Sequence, residues 1–174
     1  MPSRAGIALI PEDRRGQSQV PLMTVEQNFS LGNTGSFFSR GILRGGYRRK
    51  EMLRYIDELG IRPNRPDAQM RNLSGGNQQK VVIARWLRTG ARIFLFDEPT
   101  RGIDVGAKSE IHDLLRHLAN NGAAVLVISS EMPELLAISH RIGIMREGQV
   151  VKQFENGPGV TEEHLMKLAS GEIV

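Results

Sequence analysis

Apolar residues recur along the chain in two different rhythms. Runs with almost no polar interruption occupy 6–10 (GIALI), 92–96 (RIFLF) and 124–129 (AVLVIS). Such short continuous runs, bounded by turn residues, predict strands buried on both faces of a parallel sheet. Elsewhere the spacing is three and four. Met52, Ile56 and Leu59 mark one side of a helix over 48–59, closed by Gly60. Val82, Ile83, Trp86 and Leu87 mark a second, which follows Ser74-Gly75-Gly76 and ends at Gly90. Ile111, Leu114, Leu115 and Leu118 mark a third over 107–120. Thr24 with Gln27 three residues on forms a capping box for a short helix in TVEQNFSL. The Gly-, Ser- and Arg-rich stretch 36–47 predicts a loop, and IRPNRPDAQM a proline-dotted connector. Past the third apolar run the pattern predicts a short helix over 133–139. A hairpin then turns at Glu147-Gly148 and closes the sheet, and a last helix over 161–169 has Thr161, Glu162 and Glu163 at its positive end.

Strand, helix and strand over 92–129 form a βαβ unit, so the fold class is α/β: a mainly parallel sheet flanked by helices, with a mainly helical insert from about 24 to 70. The length of 174 residues suits one domain. The absence of cysteine removes disulfides, thiolate metal sites and cysteine nucleophiles. No run approaches the roughly 18 apolar residues of a membrane span, and the first residues lack a signal-peptide pattern, so a cytoplasmic protein is expected. A net charge of +4 suits a polyanionic partner such as a nucleotide, nucleic acid or an anionic membrane surface.

Two stretches carry chemistry. In IFLFDEPT the apolar run ends in Asp97-Glu98, two carboxylates at the carboxyl end of a strand, where open α/β sheets place ligands. Asp97 suits a Mg²⁺ held through water, and Glu98 a water that attacks phosphate; the alternative is a solvated acidic turn. In NLSGGNQQK two glycines open a helix whose serine cap needs only one flexible neighbour. An anion site at the positive helix end explains both glycines, since phosphate can approach the backbone N–H groups; a flexible turn is the alternative.

LSGGNQQK, then FLFDEPT, then RGIDVGAK resemble, in that order, the signature, Walker B strand and D-loop of the ATP-binding-cassette (ABC) ATPases. The resemblance extends over nearly the whole chain. IPEDRRGQ, TVEQNFSL and VISSEMPELL look like the second ATP-binding half of the tandem subunits that power bacterial importers of ribose, galactose and xylose type. It implies a partial P-loop NTPase fold within one incomplete domain over 1–174. Residues 24–90 would form the helical, signature-bearing part, and 1–23 with 91–174 the catalytic core. It implies ATP and Mg²⁺ as ligands, with Glu98 catalytic and Asp97 at the metal. Ser74, Gly75, Gly76, Gln78, Glu12 at the Q-loop position, Asp104 in the D-loop and Ser130 at the switch position would serve the nucleotide. The implied partners are a second nucleotide-binding half, membrane permease subunits and, indirectly, a periplasmic sugar-binding protein, at the inner face of the cell membrane.

The chain departs from the family pattern twice. Ser130 stands where the family usually has a histidine, and serine cannot replace an imidazole at the γ-phosphate. No GxxxxGK[ST] occurs anywhere, so the P-loop and first strands are expected ahead of Gly6, and the chain reads as the carboxyl-terminal portion of a longer subunit. Alone it should bind ATP weakly, hydrolyse little and expose core surface. Five cations in RGILRGGYRRK, 40–50, read as the solvated surface of the helical insert rather than a nucleic-acid patch, since Tyr47 is the one aromatic within it. His112, His117, His140 and His164 read as surface histidines. A nucleic-acid-directed ABC ATPase is the rival, as is a non-catalytic fragment that docks on a permease. The 61 residues between Glu12 and Ser74 contain neither a coiled-coil heptad run nor zinc-binding cysteines, against the first rival.

Overall fold

The computed structural model describes residues 6–39 and 41–171, without the side chains of Arg14 and Arg15. Arg40, in the basic run, lies outside them. The chain forms two compact units, divided between Ile128 and Ser129.

The first unit holds a parallel sheet in the order β1 (Ile7–Ile10), β4 (Ile93–Asp97), β5 (Ala124–Ile128). Ile10 lies opposite Phe96 and Asp97 opposite Ile128, so the carboxyl ends of all three strands share one edge. Alternation divides the sheet into two faces. Ala8, Ile10, Phe94 and Phe96 are buried on one, with Val125 and Val127 partly buried beside them. There α3 (Gly75–Arg88) packs on β1 and α4 (Val105–Asn120) on β5. The other face bears Leu9, Leu126 and Ile128, which are 53, 57 and 54% exposed. The expected strands therefore form, but they are buried on one face only. The apolar runs suit two covered faces, and the second is open to solvent. Asp97 belongs to that open face by its place in the alternation.

This unit also holds α1 (Val25–Ser30), a two-residue pairing of β2 (Phe38–Ser39) with β3 (Ile42–Leu43), α2 (Gly45–Glu58) and short helical turns at Arg14–Ser18, Thr34–Phe37 and Met70–Asn72. The capping box of α1 is complete: the Thr24 hydroxyl accepts from the Gln27 N–H at 3.2 Å and the Gln27 side chain from the Thr24 N–H at 2.8 Å. The stretch expected as a loop at 36–47 instead contains the small hairpin and the first turn of α2, which begins three residues early. Phe37 drives this ordering. It is fully buried, its ring tilts against Phe29 and Tyr47, and the Arg88 guanidinium lies 4.0 Å above it. The basic run is correspondingly not all solvated, because Arg48 pairs with Glu26 at 2.9 Å with little exposure.

The apolar spacing of α3 implies one buried side, yet every residue from Gln78 to Ala84 is buried while Trp86 and Leu87 are only partly so. It packs against α1, β1 and α4 together, which buries its circumference. Buried Lys80 is satisfied there, its Nζ donating to Glu110 at 2.8 Å and to the Gly60 carbonyl at 3.3 Å.

In the second unit α5 (Met132–Ile138) precedes the antiparallel pair β6 (Arg141–Arg146) and β7 (Gln149–Glu155), followed by α6 (Glu162–Ser170). Glu147 and Gly148 both have positive φ, as a two-residue primed turn requires. The expected hairpin thus forms, but as a two-stranded sheet of its own and not as an addition to the parallel sheet. The reason lies in its burial: Ile142 and Ile144 point into a small core with Leu165 of α6, Leu135 and Leu136 of α5 and Phe154. His164, expected at the surface, stacks on Phe154 with ring centres 5.5 Å apart.

Candidate functional site

The parallel pairing of β1 and β4 brings to one edge two acidic segments far apart in sequence. Glu12 follows the end of β1 by two residues, and its carboxylate pairs with the Arg101 guanidinium, three residues beyond Glu98. Asp97 ends β4 opposite Ile128. Glu98 has φ +48, a left-handed conformation that costs a side-chain-bearing residue free energy, and its N–H donates to the Ile128 carbonyl at 2.8 Å. Thr100 is buried behind the turn, where its carbonyl accepts from the Ile103 N–H at 3.1 Å. Asp104 then caps α4, its Oδ1 accepting from the Ala107 N–H at 2.9 Å. The segment from Glu98 to Asp104 is therefore fixed at both ends, by strand pairing and by a helix cap.

Ser74 caps α3. Its Oγ accepts from the Asn77 N–H at 3.4 Å and from the Asn77 side-chain amide at 2.8 Å, and the residue is exposed. Gly75 opens the helix and lines a solvent-open cavity of about 370 Å³ with Glu12, Asp13, Arg71, Leu73, Gln78 and Gly102. Gln78 is engaged on every side. Its Nε2 donates to the Met70 and Leu73 carbonyls at 3.2 and 3.0 Å, and its Oε1 accepts from Gln19 Nε2 at 3.0 Å. The amide thus ties the approach to Ser74 to the strip that follows Glu12. Arg85, further along α3, donates to the Ser18 carbonyl from the same side of that strip, and burial pushes its guanidinium down to about 10.

Glu12, Gly75 and Gln78 thus line one cavity, while Asp97, Glu98 and Asp104 lie along one fixed segment whose Arg101 pairs with Glu12. Ser130 lies in the second unit, exposed just ahead of α5. The sequence reading missed Asp13, Arg71 and Gly102 in the cavity wall, and Gln19 and Arg101 as partners. Arg71 flanks a quoted motif, while Asp13, Arg101 and Gly102 lie inside IPEDRRGQ and RGIDVGAK, and that placement is the signal they give. The 89-residue separation of Arg101 and Glu12 is bridged by the β1–β4 pairing.

Among the described residues no three His, Cys, Asp or Glu side chains gather as a metal cage. The donor set at the end of β4 nonetheless fits Mg²⁺, which takes one or two carboxylates together with substrate phosphates and keeps several waters. No helix of the described residues is long and apolar enough to cross a membrane.

Residues 2–101 match the family model described as ABC transporter. The ribose import ATP-binding protein RbsA 2 of Streptomyces avermitilis is 45% identical over 167 residues, covering 96% of this chain and 33% of the relative. The ribose import ATP-binding protein RbsA of Geobacillus kaustophilus is 43% identical, covering 95% of this chain and 33% of the relative. The chain spans about a third of the length of these curated relatives. Among solved structures, an ATP-binding cassette in a dimeric post-hydrolysis state, bound to ADP and Pi, superposes with a TM-score of 0.68 at 26% identity, covering 87% of this chain and 63% of that one. The parallel sheet flanked by helices is thus part of a P-loop NTPase fold of the ABC ATPase kind, and the chain belongs to the ABC transporter family.

Proposed function

We propose that these residues are part of the ATP-binding, energy-coupling subunit of an ABC-type carbohydrate importer, in which ATP binding and hydrolysis drive sugar transport. The names of the two ribose-import relatives support the substrate class. The observation that carries the reading is the pairing, within one unit, of a serine-capped helix opened by glycines with a carboxylate turn held in a costly backbone conformation.

On this reading residues 24–90 are the helical, signature-bearing part of an incomplete nucleotide-binding domain, and 1–23 with 91–174 belong to its catalytic core. Ser74 Oγ and the N–H groups of Gly75 and Gly76 meet the γ-phosphate of ATP held by the P-loop of a second nucleotide-binding half. Asp97 and Glu98 belong to the other composite site, completed by this half's own P-loop: there the Glu98 carboxylate accepts a proton from the water that attacks the γ-phosphorus of a second ATP, as the bond from that phosphorus to the β,γ-bridging oxygen breaks. Asp97 would hold Mg²⁺, which supplies positive charge against the phosphate oxygens. Glu12, Gln78, Asp104 and Ser130 complete the nucleotide-facing set. Glu12 responds to the permease and Asp104 to the opposite half. The partners are permease subunits and, through them, a periplasmic sugar-binding protein; the place is the cytoplasmic face of the membrane.

The test is ATP-dependent uptake of ribose and related sugars by the complete subunit assembled with its permease in vesicles. Glu98→Gln is expected to keep ATP binding and to lower turnover by about a hundredfold or more. Turnover at the wild-type rate in Glu98→Gln, or ATPase stimulated by nucleic acid and indifferent to the permease, would overturn the assignment.

A further inference from the structure

Gly76 does not need to be glycine for its backbone, which is helical and outside the positive-φ region. Its surroundings supply a different reason. A Cβ built on Gly76 would stand 2.9 Å from Ala107 Cβ, 3.8 Å from Ile103 Cγ2 and 4.0 Å from Ala107 Cα. Ala107 Cβ is bonded directly to the backbone in the first turn of α4, so no rotamer moves it aside. One helix would have to retreat by roughly 0.6–1 Å to reach the ordinary 3.5–4.0 Å separation of carbon atoms. The glycines that open α2 are unlike it, since a Cβ on Gly45 or Gly46 meets nothing within 4 Å. The direction in which a Gly76 side chain would project is therefore occupied by α4 of the same chain.

The contact continues along both helices. One turn on from Gly76 is Lys80, one turn on from Ala107 is Glu110, and these two pair at 2.8 Å. α4 in turn is fixed to the carboxylate turn through the Asp104 cap and the hydrogen bond from the Ile103 N–H to the Thr100 carbonyl. We infer that Gly76 is a positioning residue: its missing side chain seats the first turn of α3 on α4 and so couples the anion-facing end of α3 to the Glu98–Asp104 segment of the same chain. This deepens the proposed function, on which the coupling rests. It assigns the room for phosphate to Ser74 and Gly75, and the close helix approach to Gly76.

A reciprocal exchange tests it, with wild type, Gly76→Ala, Ala107→Gly and the double variant made in the complete subunit. Two quantities are read: the thermal midpoint without nucleotide, and the kcat and KM of ATP hydrolysis. Gly76→Ala is expected to lower the midpoint by several degrees and to reduce kcat about tenfold, while the double variant returns the midpoint to within about 2 °C, and kcat to within about twofold, of Ala107→Gly alone. A double variant no better than Gly76→Ala would place the demand for glycine on the ligand's side and overturn the inference. Recovery of the midpoint without recovery of kcat would overturn the coupling. If Gly76→Ala fails to fold, folding of the double variant supports the contact and its failure sinks it. A wild-type subunit without ATPase activity would defeat the proposed function and with it the coupling, and the nucleotide-free midpoints would still decide the contact.

Discussion

Replacing Gln78 by glutamate puts a carboxylate oxygen where the amide nitrogen now donates to the Met70 and Leu73 carbonyls, at 3.2 and 3.0 Å. The bond accepted from Gln19 survives, because an acceptor remains at that position. The Leu73 carbonyl loses its donor, the Met70 carbonyl keeps the Leu73 N–H at 3.2 Å, and both face an anion instead. At about 1–3 kcal/mol for the one carbonyl left unsatisfied, and toward the upper end because a charged group faces it, the cost is near ~3 kcal/mol, a large share of the roughly 5–15 kcal/mol that holds a domain together. For a chain of this size it corresponds to a fall of about 6–12 °C in thermal midpoint. The pH dependence has a definite sign. Burial and the carbonyl oxygens disfavour the charged carboxylate in the folded state, so its folded pKa lies above the ordinary value near 4.3. The folded state then binds the proton more tightly, and the variant is least impaired below the unfolded pKa and loses stability as pH rises through the folded one. Thermal unfolding of wild type and Gln78→Glu between pH 4 and 8, with hydrogen exchange at Leu73 and Ser74, measures both effects. A variant as stable as wild type at pH 7, or a difference between them that does not change with pH, would refute the role given to this amide.

Burial raises the pKa of the Tyr55 phenol above 10, chiefly by desolvation and against the charge of Arg54. The folded state thus holds this proton more tightly, its contribution is complete below pH 10 and fades above it, and Tyr55→Phe should flatten the alkaline fall in stability; an unchanged slope would exclude Tyr55 as its source. Leu126 on the open sheet face is 57% exposed, so Leu126→Thr should cost only about 1 kcal/mol and reduce binding of an apolar dye, whereas a loss near that of a fully buried leucine would show that this face is covered. In the second unit the Asn156 amide donates to the Leu136 and Ser139 carbonyls, both at 2.9 Å, so Asn156→Ala should destabilise that unit by about 2 kcal/mol; faster hydrogen exchange in β6 and β7 with α3 unaffected is the expected pattern, and equal acceleration throughout would contradict it.

Local signals were legible wherever the physics is local. The Thr24–Gln27 box, the Glu147-Gly148 turn and the Asp97-Glu98 terminus of β4 depend on neighbours within a few residues, and each forms at its expected place. The stretch 36–47 escaped the reading because its order comes from Phe37 packing on side chains of other elements, Phe29 of α1 and the distant Arg88 of α3. The one-sided periodicity of α3 failed for a related reason. A polar side chain such as Gln78 or Lys80 reads as solvent-facing until its buried partners are known.

By itself the sequence determined the strand and helix rhythm, the order of the three motifs and hence the family, because each is written in residues close together along the chain. Exposed core surface was expected of an incomplete domain, but only the tertiary structure decided that it is one face of the parallel sheet, that Glu12 meets Arg101, and that Gly76 faces Ala107. These depend on strand register and on the distance between helices, quantities set by packing among distant segments, and no pattern of neighbours along a chain encodes them directly.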